Sequence, residues 1–164
     1  MKHIIYTAYG SNLLKERFLV YIKGGYYQSR YHSGCLDKTE PESLGWMYVP
    51  YRLYFAKDSS SWGGGVAFLA CEKEPNSEYH AIVRLWKITE EQFECLHKQE
   101  GKGWYHKILI LGKKDGLTIK TFTGCWMNNI NLPSEEYLDV IKKGLKETTG
   151  WTDQEIEKYL CKFI

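Results

Sequence analysis

His3-Ile-Ile-Tyr-Thr-Ala-Tyr-Gly-Ser-Asn-Leu-Leu14, continued by Lys15-Glu-Arg-Phe-Leu19, is the stretch on which the reading of the chain turns. Residues 3–9 are β-branched and aromatic and read as an opening strand, Gly10 stops it, and Asn12 is placed to cap a helix running through Leu13, Leu14, Phe18 and Leu19. A strand that turns through glycine into a helix presents free backbone N–H groups. Such a turn can hold a carboxylate, or steady the oxygen that becomes negative when a carbonyl is attacked. The same spacing also describes an ordinary capped turn, so a second landmark is needed.

Working outward, 51–57 alternates like a strand, 58–65 is a turn cluster of Ser, Trp and Gly, and 66–71 is a short apolar run suited to a buried strand. A strand over 79–88 follows. Thr89-Glu-Glu-Gln92 is a capping box for a helix that ends near Gly101 and carries the stripe Phe93, Cys95 and Leu96. Strands over 104–111 and 117–125 flank the hairpin signal Lys113-Lys-Asp-Gly116. Pro133-Ser134 and Thr152-Asp-Gln-Glu155 open two late helices, the first with Tyr137, Val140, Ile141 and Leu145 on one face, the second with Ile156, Leu160 and Phe163. Only 24–50 lacks a sustained period; it reads as an extended excursion with one short strand near 27–35. Hairpins with helices at the edges predict an α+β class, a single domain over 1–164 built on a small mixed, barrel-like sheet flanked by helices, not a doubly wound parallel one.

Composition narrows the function classes. Hydrophobic residues are 43% and charged residues 26% of the 164, with no apolar run long enough to span a membrane, so no membrane partner is expected. The first residues lack the apolar core of a secretory signal, which makes the cytoplasm the default location. A formal charge of +2 gives no ground for a nucleic-acid partner. The five cysteines stand singly, without zinc-ligand spacing, and read as reduced thiols; His3, His80 and His106 are likewise not spaced as ligands. No metal and no cofactor are expected. The 13 Tyr and 6 Trp, large side chains with a polar edge, lean toward a pocket for a small polar ligand.

The second landmark is Gln99-Glu100-Gly101. Gly101 can supply the left-handed end of its helix, which leaves Glu100 at the negative end of the helix dipole, the wrong place for an acid. That placement, with burial, raises a carboxyl pKa and makes a stronger base; a solvated surface glutamate is the commoner reading of such a residue.

Together these segments resemble the γ-glutamylcyclotransferase family, whose Tyr-Gly-Ser-Asn-Leu opening stands here as Tyr9 to Leu13, followed by Arg17. Trp62-Gly63-Gly64, Gln99-Glu100-Gly101 with Tyr105, and Pro133-Ser134 ahead of Tyr137 and Lys143-Gly144 occur in the family's order, across nearly the whole chain. The resemblance implies Glu100 as the catalytic acid/base and a substrate site of Tyr9, Gly10, Ser11, Asn12, Leu13, Tyr105 and Tyr137. It also implies a cofactor-free reaction on a small-molecule γ-glutamyl substrate, an intramolecular aminolysis giving 5-oxoproline and a free amine, by a monomer or homodimer. The turn is expected chiefly to hold the substrate. A non-catalytic γ-glutamyl-binding protein on the same fold is the main rival. A cysteine hydrolase using Cys35 with His32 or His97, and a nucleic-acid module using Tyr26, Tyr27, Arg30 and Tyr31, are weaker ones.

Overall fold

The opening strand β1 (His3–Ala8) is buried along almost all its length, on both faces, and a strand of that kind belongs inside a sheet. The computed structural model, which describes residues 2–164, places it at the centre of five strands. The elements before the middle of the chain are α1 (Lys15–Lys23), β2 (Gly25–Tyr27), β3 (Arg30–His32), β4 (Glu42–Val49), β5 (Leu53–Ser59) and β6 (Gly64–Leu69). Those after it are β7 (Ala81–Thr89), α2 (Glu90–Glu100), β8 (Lys107–Lys114), β9 (Leu117–Thr123), α3 (Glu135–Thr149) and α4 (Asp153–Cys161). The main sheet runs β4-β7-β1-β9-β8. β1 is antiparallel to β7 and parallel to β9, so the sheet is mixed and the class is α+β, as expected.

The sheet does not close into a barrel. β4 and β8 are its two edges, and the strands that could have bridged them, β5 and β6, pair with each other and, through one isolated bridge from Ala56, with Ile130, but with neither edge. That hairpin lies across the end of β9. Thr123 Oγ1 donates to the carbonyl of Leu69 at 2.7 Å and accepts from its N–H at 2.8 Å, and Tyr54 donates its hydroxyl proton to the Gly124 carbonyl. One hydrophobic core runs from the sheet through this hairpin to the helices, with Trp86, Phe18, Phe68 and Leu96 fully buried in it.

Three helix starts follow their sequence signals. Thr89 and Thr152 each form a capping box, with Gln92 and Glu155, and Ser134 accepts from the Tyr137 N–H. The first helix does not. Residues Ser11–Leu13 make a single 3-10 turn, Leu14 returns to extended geometry (φ −88°, ψ 120°), and α1 starts after it without a side-chain cap. Asn12 does not cap because its side chain is used elsewhere.

Segment 24–50 departs most from expectation. In place of one short strand it forms the hairpin β2–β3 and then the eight-residue edge strand β4. The hairpin base closes through Gly24 and Gly34, both with positive φ; a Cβ on Gly34 would sit 2.5 Å from the Gly24 nitrogen, so backbones meet where no side chain fits. β4 carries a register shift between Ser43 and Trp46 and is largely exposed, and a bulged edge strand has no clean two-residue period to read. The thiol expectation is also corrected. Cys35 is bonded to Cys95 and Cys71 to Cys125, leaving Cys161 free and exposed. Sequence separations of 60 and 54 residues give no pairing signal; only the fold brings their Cα atoms to 5.9 and 5.7 Å. No helix of the described residues is long and apolar enough to cross a membrane.

Candidate active site

Where the turn after β1 meets the last residue of α2 and the first turn of α3, a cavity of about 480 Å³ opens. Tyr9, Gly10, Ser11 and Asn12 line it from the turn, Glu100 and Tyr105 from one side, and Tyr137 from another. These came from three separate stretches of sequence and the fold brings them to one place. Leu13 is the exception.

The turn is clamped from below. Trp86 Nε1 donates to the Asn12 carbonyl at 3.2 Å, and Arg84 Nη1 donates to the Leu13 carbonyl at 2.9 Å while pairing with Glu147 at 2.5 Å. Glu147 also accepts from the Lys15 N–H at 2.9 Å. Gly144 of α3 lies against the turn so closely that a Cβ there would be 2.7 Å from Leu13 Cβ and from Leu14 N. Leu13 therefore anchors the turn, its side chain buried against α3, while the N–H groups of Ser11 and Asn12 begin a turn whose first donors have no partner within it.

Glu100 ends α2. Gly101 follows with φ 98° and ψ 107° and returns its N–H to the His97 carbonyl at 3.1 Å, so the helix stops on a positive-φ glycine, though not in the left-handed helical conformation expected of it. Asn12 Nδ2 bridges Glu100 Oε1 at 3.4 Å and the Tyr6 hydroxyl at 3.3 Å, which is why it caps nothing. Burial pushes the Glu100 carboxyl above its ordinary value of 4.5, against a smaller downward pull from the Arg17 charge and from hydrogen bonds with Tyr21 and Asn12. The side chain keeps a part-exposed surface toward the cavity. Gln99 fixes the end of α2 by donating to the Tyr21 carbonyl at 2.8 Å and to Cys95 Sγ at 3.2 Å.

The tyrosines act as neutral donors and acceptors. Burial raises the phenols of Tyr6, Tyr9, Tyr21, Tyr105 and Tyr137, so all stay protonated at any working pH. Tyr9 donates to the Phe122 carbonyl at 2.8 Å. Tyr137 accepts from the Ala67 N–H at 2.9 Å and keeps its proton for the cavity.

No family model matches the sequence. Against γ-glutamylcyclotransferase from Bos taurus the chain is 31% identical over 150 residues, covering 87% of this chain and 70% of that protein. The chain belongs to the γ-glutamylcyclotransferase family. A solved γ-glutamyl cyclotransferase superposes with a TM-score of 0.71 over 96% of this chain and 86% of its own; at 22% identity that likeness shows the fold. Histone deacetylase 5 of Arabidopsis thaliana is 29% identical over 203 residues, which take in 97% of this chain, but the chain spans only 30% of that protein's length.

Four further residues reach the cavity: Arg17 and Trp62, which the resemblance includes without a role, and Tyr6 and Tyr21, which no motif marks. Arg17 and Tyr21 stand four apart on α1 and face the cavity together, and Tyr6 and Trp62 join them there. The spacing of Arg17 and Tyr21 is a helical-face signal, but α1 was read from its apolar residues alone. The rivals fare differently. Cys35 is buried outside the cavity lining, with its sulfur 3.5 Å from the Tyr21 carbonyl and 3.6 Å from Gln99 Nε2 and hydrogen-bonded to neither His32 nor His97, so the pairing a cysteine hydrolase needs is not formed. The four residues offered for nucleic acid divide between the faces of the β2–β3 hairpin. Tyr26 pairs with Tyr31 outward, while Tyr27 and Arg30 sit opposite each other on the other face. Among the described residues no three His, Cys, Asp or Glu side chains form a metal-binding group.

Proposed function

We propose that this chain closes the γ-glutamyl group of a small amide into 5-oxoproline, with Glu100 as acid and base. The observation that carries the reading is a carboxylate of raised pKa at a cavity wall, directly bonded to the residue, Asn12, that ends the substrate turn. The α-amino group of the substrate is mostly protonated near neutral pH, and Glu100 accepts its surplus proton. The freed nitrogen attacks the γ-carbonyl carbon. A carbon–nitrogen bond forms and the carbonyl oxygen takes the negative charge; Glu100 gives its proton to the amide nitrogen, the carbonyl re-forms as the original bond breaks, and Glu100 then takes the second proton from the new ring nitrogen and passes it to the departing amine, which leaves as an ammonium. The products are the five-membered ring and an amine. The Gly10-Ser11-Asn12 turn and the Tyr137 hydroxyl hold the chain folded, because bringing the two ends together supplies much of the rate.

Several observations support the clamped turn as part of the machinery: its carbonyls are tied down by Arg84 and Trp86, which leaves a rigid edge toward the cavity. The test is release of 5-oxoproline from γ-glutamyl amino acids, γ-glutamylamines and glutathione, with Glu100→Gln beside the wild type. Release that disappears in the variant is the expected result. Binding without release would leave a γ-glutamyl-binding protein, and an equally active variant would remove Glu100 from the mechanism.

A cytoplasmic location is the companion proposal, and it has a consequence. In a reducing compartment Cys35, Cys95, Cys71 and Cys125 stand as thiols at bonding distance, and alkylation of fresh lysate under denaturing conditions, which opens the buried Cys35, should label all four. Protection of both pairs would instead place the protein in an oxidising compartment.

A further inference from the structure

Arg17 is the one cation buried at the cavity wall beside the acid. It is 4% exposed, yet only its Nη2 is used, donating to the Tyr21 hydroxyl at 3.0 Å. Nε and Nη1 are buried with no acceptor, and among the described residues no carboxylate oxygen lies within 4.0 Å of the guanidinium. A buried guanidinium with idle donors is costly unless something else satisfies it. The group is also positioned with care: its central carbon lies 4.4 Å from the ring centre of Tyr21, 5.2 Å from that of Tyr27 and 5.6 Å from that of Trp62. Stacking of this kind fixes the plane of the guanidinium and leaves its edge free for a planar anion.

We propose that Arg17 is the receptor for the α-carboxylate of the γ-glutamyl group. The argument rests on the Glu100 reading and on the chemistry of an α-amino acid. Its ammonium and its carboxylate share one carbon, so a site that receives the ammonium on an acid must receive the carboxylate on a neighbouring donor. Here the Tyr21 hydroxyl stands between them, bonded to Arg17 and bearing on Glu100. A forked donor pairs with a carboxylate through two parallel bonds, which sets the face from which the amine meets the γ-carbonyl. With the carboxylate on Arg17, the Gly10-Ser11-Asn12 turn is left for the γ-carbonyl oxygen. The site therefore demands a free α-carboxylate, and amides of 4-aminobutyrate, which close to the same ring without one, are excluded.

Titration calorimetry with two rings tests this without turnover. 5-Oxoproline carries the carboxylate and 2-pyrrolidinone lacks it. The wild type should prefer 5-oxoproline by roughly ten- to hundredfold, the scale of charge-assisted hydrogen bonds lost in a buried site. Arg17→Met should bind both rings alike, and Arg17→Lys should keep part of the preference. A wild type without preference, or a folded Arg17→Met that keeps it, overturns the assignment. A role for Arg17 in packing alone would shift melting temperature but not the ratio of the two affinities. Should the wild type release 5-oxoproline while the variants discriminate unchanged, Arg17 falls and Glu100 stands; a wild type that binds neither ring and releases nothing overturns both.

Discussion

The two walls of the cavity were built by different means. On one side, the turn 9–13 and the end of α2 take their course from short-range chemistry: a glycine stop, a capping box at Thr89 and Gln92, and a positive-φ Gly101. On the other side, segment 24–50 is held by contacts between residues far apart in sequence: the Cys35–Cys95 bond, Gln92 Nε2 donating to the carbonyls of Asp37 and Thr39, and the pairing of β4 with β7. The first wall carries chemistry that must be placed to a fraction of an ångström. The second covers it and shapes its mouth through Arg30 and His32. The difference teaches that the course of the chain near the acid is encoded locally, whereas the clamping of the turn by Arg84, Trp86 and Gly144 and the whole of the cover come from tertiary contacts.

The largest effect should come from the first wall. Glu100→Gln is expected to lower turnover by on the order of 10²- to 10⁴-fold, the range for a lost general acid/base. Stability should move the other way. The folded pKa of Glu100 lies above its unfolded value, so its contribution is most favourable below about pH 4.5 and is lost as pH rises through the folded pKa. The glutamine variant should therefore melt higher than the wild type at pH 7 and lose that advantage at pH 4. Turnover of the wild type should fall on the acid side along a limb displaced upward from 4.5.

Breaking the second wall should cost less in chemistry and more in fold. Cys95→Ser removes a bond joining residues 60 apart and should destabilise the oxidised protein by about 2–4 kcal/mol in urea. Because Gln99 also touches both sulfurs and the Tyr21 carbonyl, the Michaelis constant is expected to rise more than the turnover number falls. An unchanged Michaelis constant would mean that the cover does not shape the site.

These contrasts track what could be read without coordinates. Capping boxes, the Lys113–Gly116 hairpin and the α3 stripe involve neighbours within four residues, and each is found where the pattern put it. The Tyr-Gly-Ser-Asn-Leu and Gln-Glu-Gly motifs supply seven of the 24 residues that line the cavity, Glu100 and the turn among them. What was not legible has one physical cause. The disulfides, the bulged strand β4, the open edges of the sheet and the burial of Arg17, whose place after the turn the motif did give, all depend on which distant residues meet, and a single sequence does not display that. Asn12 shows both sides: its position at a turn was plain, but its use as a bridge between Tyr6 and Glu100 was not.

A smaller perturbation probes how firmly the first wall is backed. In Gly144→Ala the new Cβ would meet the Leu13 side chain and the backbone of Leu13 and Leu14 at 2.7 to 2.8 Å, too close to keep. Either α3 or the turn must shift, at about 1–3 kcal/mol by the usual scale of overpacking. Turnover should fall along with stability because the same contact positions Ser11 and Asn12.

The smallest effect should come from the outer face of the hairpin in the second wall. Tyr26 and Tyr31 are 71% and 66% exposed, pack edge to face on each other at 5.3 Å, and point away from the cavity lined by Tyr27's partners Arg17 and Trp62. Replacing both by Ala removes one exposed aromatic pair, worth less than about 1 kcal/mol, and should leave 5-oxoproline release unaltered. Tyr27→Ala, one residue away but facing Arg17, should weaken substrate binding. If the outward pair mattered as much as Tyr27, the hairpin would be acting through its whole body rather than through its inner face, and the division of the cover into an inner and an outer surface would have to be given up.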